Sequence, residues 1–178
     1  MTAAHDDKDR RFRLDVLATT VQEELMAAGL PVLSGNDPIG SVGAVVHADV
    51  PGLRGVTVDW QAHTLFWDAS QEAMAEDPHQ EGAEGQAFGR LAVAVGEAMA
   101  EAMRKILTAA GLEVADSGND YAPDQLLVTR CLARSPWQVR RDAKFERQQE
   151  AMRAAWNAKH EAECPHHGPA AGRADDDR

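Results

Sequence analysis

Within eight residues near the end of the chain stand His160, Cys164, His166 and His167. A thiolate and imidazoles are ligands that zinc prefers, and His160 and Cys164, four apart, share one face of a helix end. This is the candidate metal site, and zinc is the one cofactor the sequence offers. Its spacing is not that of a zinc finger, and no Cys-x-x-Cys half accompanies it. A second set, His47, Asp49, Asp59, His63 and Asp68, falls on or beside predicted strands, where a carboxylate–imidazole pair would act as an acid–base couple. The wet side of a sheet carries such residues for solubility as well. No Gly-x-Ser-x-Gly elbow, phosphate loop, His-Glu-x-x-His or dinucleotide fingerprint stands with them, so no catalytic residue is assigned. The third set is apolar: Trp137, Phe145, Met152 and Trp156 form a thin line along a predicted helix and are the candidate partner-binding residues.

The elements that must position these side chains follow from periodicity. Phe88, Leu91, Val95, Met99, Met103 and Ile106 recur at three- and four-residue steps between Gln86 and Ala110, which predicts a central helix with a wide buried face. Gly89 and Gly96 on that helix are expected to mark a close approach by another backbone, with packing against a sheet as the plain account. An earlier helix is predicted from Arg10, with Phe12, Val16, Leu17, Val21, Leu25 and Met26 inward and Gly29 as its stop. Three strands are expected at Ser41–Ala48, Gly55–Trp60 and His63–Asp68, the last two forming a hairpin that sets Trp60 near Trp67. Residues 69–85, acidic and without period, read as a loop. Strands at Leu112–Ala115 and Gln125–Leu132 follow, with Cys131 as a small buried apolar residue, and Pro136 opens a last helix to Glu163.

Two stretches echo each other. Leu25-Met-Ala-Ala-Gly-Leu-Pro-Val32 and Ser34-Gly-Asn-Asp37 return as Leu107-Thr-Ala-Ala-Gly-Leu-Glu-Val114 and Ser117-Gly-Asn-Asp120. Gly29 and Gly111 both read as left-handed caps. A common solution to the same capping problem explains this better than a repeat array, which needs three units or more to bury its faces.

Composition narrows the function. The net charge is −11, and between Ala69 and Asp120 ten acids face three bases. Such a surface repels phosphates and argues against nucleic acid as a partner. The two Arg/Lys clusters, Arg10, Arg11, Arg13 and Arg140, Arg141, Lys144, read as solvated helix faces. Two cysteines are too few for a disulfide scaffold, no secretory pattern stands near Met1, and no apolar run reaches the ~20 residues that span a bilayer. A soluble protein of a reducing cytoplasm is expected, with no membrane partner. Arg outnumbers Lys fourteen to four and Ala is abundant, a composition of high-GC bacterial genomes.

The predicted organisation is a loose N-terminus (1–9), an α+β domain (10–135), a charged helix (136–163) and a disordered tail (164–178). The fold expected is an antiparallel sheet of four to five strands with two helices on one face and a protruding C-terminal helix. The order of elements from Arg10 to Glu163, α-β-β-β-α-β-β-α, resembles the type III secretion chaperone-like fold. That resemblance implies frequent homodimerisation and a role in binding other polypeptides. The function expected is therefore that of an interaction module, chaperone- or adaptor-like, whose partner is another protein or a second copy of itself. The alternative is a small enzyme or zinc protein using the strand-end His and Asp residues or the C-terminal cluster.

Overall fold

The computed structural model describes the backbone of residues 3–163 apart from 35, 39, 49, 51–53, 78, 80 and 81, and side chains from residue 7 to residue 160 within that set. Its elements run α1 (Ala3–Ala27), β1 (Val32–Leu33), β2 (Gly43–His47), β3 (Val56–Gln61), α2 (Thr64–Glu76), α3 (Ala83–Ala109), β4 (Leu112–Asp116), β5 (Leu126–Cys131) and α4 (Pro136–Glu163). Two compact units divide between Ser135 and Pro136.

In the first unit one sheet has the order β1-β2-β3-β5-β4. Strand registers decide which side chains share a face. Ala44 lies opposite Trp60, Val46 opposite Val58, Val56 opposite Val128 and Val58 opposite Leu126, so these residues form one apolar surface. Val21 and Leu25 of α1 and Met103 and Leu107 of α3 close over it, all four fully buried with Val56, Val58, Leu126 and Val128. The fold is α+β with the two long helices on one face of the sheet, as the periodicity implies.

Four expectations are corrected. The sheet is mixed, because the two-residue β1 pairs parallel with β2; the other three pairings are antiparallel. The expected third strand, His63–Asp68, is the start of α2, and the helix continues to Glu76 through much of the expected loop. The inward face of α1 is Leu14, Leu17, Ala18, Val21 and Leu25; Phe12, Val16 and Met26 are exposed. Cys131 is exposed and free, its thiol donating to the Ala133 carbonyl at 3.1 Å. In addition α1 begins at Ala3, seven residues ahead of the start predicted at Arg10.

The echoed stretches are both helix, left-handed glycine, edge strand: α1–Gly29–β1 at one rim of the sheet and α3–Gly111–β4 at the other. Gly29 has φ +87° and Gly111 φ +90°. After α1 the Leu30 N–H reaches back to the Leu25 carbonyl at 3.0 Å, the six-to-one bond of a Schellman cap. The strands they deliver differ, β1 pairing parallel and β4 antiparallel.

A bulge in the β4–β5 pairing sets Glu113 against both Thr129 and Arg130. Thr129 Oγ1 donates to Glu113 Oε2 at 2.5 Å, and Arg130 adds Nε to Oε2 at 2.8 Å and a second guanidinium nitrogen to Oε1 at 3.2 Å. The Thr129 hydrogen bond first, and the Arg130 bonds after it, hold the Glu113 carboxyl below its usual 4.5. A carboxyl lowered on folding stabilises the folded chain above the unfolded value, and that contribution disappears as pH falls through the folded value. Glu113→Gln is therefore expected to lower the melting temperature at neutral pH, with the gap to the parent chain narrowing as pH falls below 4.5. Parallel thermal melts of the two proteins across that range check this; a gap that is the same at both ends would refute it.

Candidate functional site

The site is built where β3 hands over to α2. His63 caps that helix: its backbone is extended (φ −62°, ψ 142°) and Nδ1 accepts the Leu65 N–H at 3.1 Å. An imidazole standing in for Ser or Asp at an N-cap is unusual, but the physics is the same, an acceptor for an orphan amide. One helical turn on, Phe66 meets Phe88 of α3 with ring centroids 6.1 Å apart and planes at 52°, in the tilted arrangement aromatic pairs favour. Ser70 and Ala73 continue the buried line of α2.

Between these elements and the sheet lies a cleft of about 670 Å³, bordered by Val45, His47, Asp59 and Trp60 from the strands, Phe66 and Trp67 from α2, and Val95 and Gly96 from α3. A second lobe of about 530 Å³ shares Asp59, Trp60, Trp67, Ala92 and Gly96 with it and runs on to Tyr121 and Asp124. The two lobes form one trough with the two tryptophans at its middle. Trp60 and Trp67 thus come together as expected, though across a strand and a helix rather than across a hairpin. Large apolar residues stand open along it: Trp67 is 59% exposed and Tyr121 99%.

The polar groups of the trough are mostly occupied in holding it. Asp59 Oδ2 accepts from Gln125 Nε2 at 2.7 Å, and Gln125 Oε1 accepts from Asn119 Nδ2 at 3.5 Å. This chain fastens the 117–125 segment to β3. Gly96 gives that segment room, since a Cβ there would strike the Asp124 carboxylate; Gly89, by contrast, has nothing within 4 Å. The expected approach of another backbone is found at neither glycine: Gly96 meets the Asp124 side chain, and Gly89 meets nothing within 4 Å.

Of the acid–base candidates, His47 and Asp59 border the same trough, but His63 is spent on its cap and Asp68 is an exposed residue of α2. Asp49 lies outside the described residues. Among the described residues no hydrogen bond joins His47 to Asp59, so no couple is assembled there. For the metal candidates, His160 stands edge-on to Trp156 with ring centroids 4.3 Å apart. Cys164, His166 and His167 lie outside the described residues. Among the described residues no group of three or more His, Cys, Asp or Glu is placed to hold a metal ion.

In the second unit, α4 is a 28-residue helix. Phe145, Met152 and Trp156 are 58%, 70% and 62% exposed, while Trp137 is partly covered, with the Arg141 guanidinium 4.8 Å over its ring. The sequence identified this line; it did not identify the trough, because Phe66, Trp67 and Tyr121 belong to segments that read as strand and loop. The signal lay in Phe66, Ser70 and Ala73, a helical spacing in which two of three members are small. No helix of the described residues is long and apolar enough to cross a membrane.

Compared with family models, with curated proteins and with solved structures, the chain has no match.

Proposed function

We propose that this chain is a protein–protein interaction module, chaperone- or adaptor-like, whose trough receives apolar side chains of another polypeptide, with the open line on α4 as a second contact surface. The observation that carries the reading is Trp67, 59% exposed on the wall of a trough whose floor includes Trp60. Leaving a tryptophan and a neighbouring tyrosine in water forgoes about 25 cal/mol for each Å² of apolar surface, and contiguous patches of that kind on soluble proteins mark binding sites. The net charge of −11 turns the choice of partner from nucleic acid to polypeptide. The element order keeps three strands before α3 and two after it, but inserts α2 as a helix that the chaperone-like order resembled by the sequence does not have.

The test is a photocrosslink in the source cells. Benzoylphenylalanine at position 67 is expected to capture a polypeptide on illumination, and the same group at exposed Gln71 on α2 is not. If position 67 captures no polypeptide and native mass spectrometry finds a small molecule held by the chain, the module reading is wrong and the trough is a ligand or substrate pocket.

A further inference from the structure

We propose that α4 is a self-association helix, and that two copies of the chain pair through it antiparallel over residues 142–159. This deepens the interaction reading but rests on α4 alone, not on the trough. Phe145, Gln149, Met152 and Trp156 follow one another at steps of four, three and four, the seam spacing of a coiled coil. Met152 and Trp156, with Gln149, Arg153 and Ala155, also border a shallow groove on the helix surface. Three large apolar side chains on that seam stand more than half exposed.

Charge selects the occupant. In an antiparallel pair centred between Gln149 and Met152, Phe145 of each copy lies opposite Trp156 of the other, and Gln149 opposite Met152. At the ends of the seam Asp142 then faces Lys159, and on its flank Glu146 faces Arg153. Two-fold symmetry doubles each, giving four opposite-charge contacts and no like-charge contact among them. Asp142 already meets Arg141 at 3.2 Å within its own helix, so its carboxylate would sit between two cations.

Competing arrangements are worse. A parallel pair sets Asp142 against Asp142 and Lys159 against Lys159, and gains only Arg141 beside Glu146 in return. Sliding the antiparallel pair by one heptad sets Glu146 opposite Glu146 in one direction and Arg153 opposite Arg153 in the other. One register of one orientation satisfies both the apolar seam and the charges, the means by which coiled coils choose partners.

A seam of two heptads is at the small end of interfaces, so a dimer dissociation constant on the order of 10 μM is expected. Sedimentation equilibrium of the full chain tests it. The parent protein should dimerise; Glu146→Lys and Arg153→Glu should each weaken the dimer about tenfold, since each reversal creates two like-charge contacts. The double reversal Glu146→Lys with Arg153→Glu should restore the parent affinity. Both positions are exposed, and circular dichroism will show that the variants stay helical. A chain that stays monomeric, a dimer indifferent to Met152→Asp, or a double reversal no better than the singles would each overturn the proposal. None of these outcomes bears on capture at position 67, so the two readings fail separately.

Discussion

Gly111→Ala is expected to destabilise the fold by about 2–5 kcal/mol, while the same change at Gly29 costs about 1–2 kcal/mol. The sequence around the two glycines is nearly the same, and so is the conformation, φ +90° against +87°. Both variants must therefore place a Cβ in the left-handed region. What differs is the surroundings. A Cβ on Gly111 would lie 2.5 Å from the Ala133 carbonyl oxygen and 3.1 Å from its carbon, both backbone atoms, whereas one on Gly29 would have nothing within 4 Å. Retreat is obstructed as well, because the Gly111 carbonyl accepts the Leu132 N–H at 2.8 Å and the Ala133 N–H at 3.2 Å. Moving Ala133 away loosens the bonds that close the β4–β5 ladder. Urea titration of both variants checks the difference in midpoint. Equal losses at the two sites would show that the 132–133 segment yields freely and that only the backbone conformation matters.

The second large effect concerns α3. Leu107→Ala should cost about 2–5 kcal/mol, and Leu91→Ala, nearer the start of the same helix, no more than about 0.5 kcal/mol. Leu107 is fully buried in the core cluster, where deletion leaves a cavity; Leu91 is 51% exposed. Apart from Gly85, the buried residues of α3 are Ala100, Met103 and Leu107, all in its last ten positions. The helix is a core element at one end and a display surface at the other. The same titration tests this, and a loss at Leu91 comparable to that at Leu107 would mean that the N-terminal part of α3 is covered in the folded protein.

That division explains what could be read in advance. Apolar periodicity is a statement about a helix, so the stripe from Phe88 to Ile106 was legible. What covers a stripe is a fact about other elements, and the first half of this one is covered by little. Strands β2, β3 and β5 announced themselves through β-branched runs bounded by turns. The parallel pairing of β1 could not be read, since two residues carry no period and their partner is chosen by the loop 34–42. The start of α2 reads as a strand because Leu65 and Trp67 alternate with Thr64, Phe66 and Asp68 over six residues, too few to separate a period of 2 from one of 3.6. Its true inward line, Phe66, Ser70 and Ala73, contains one large apolar residue, so hydropathy gave it little weight. The trough was lost with α2. The α4 line survived because its tryptophans stand out against a charged background in any conformation.

The strand order also sets a timetable. β3 sits in the middle of the sheet, and its second neighbour, β5, comes long after it: Val56 pairs with Val128, 128 − 56 = 72 residues later. At roughly 5–20 residues per second a ribosome needs about 4–14 s to make that stretch. For that interval a nascent chain holding α1 to β3 carries the free rim of β3 as an unfilled row of amides and carbonyls beside half of its core. The protein is born with its centre as an edge, and it becomes safe from strand-to-strand association only when β5 arrives.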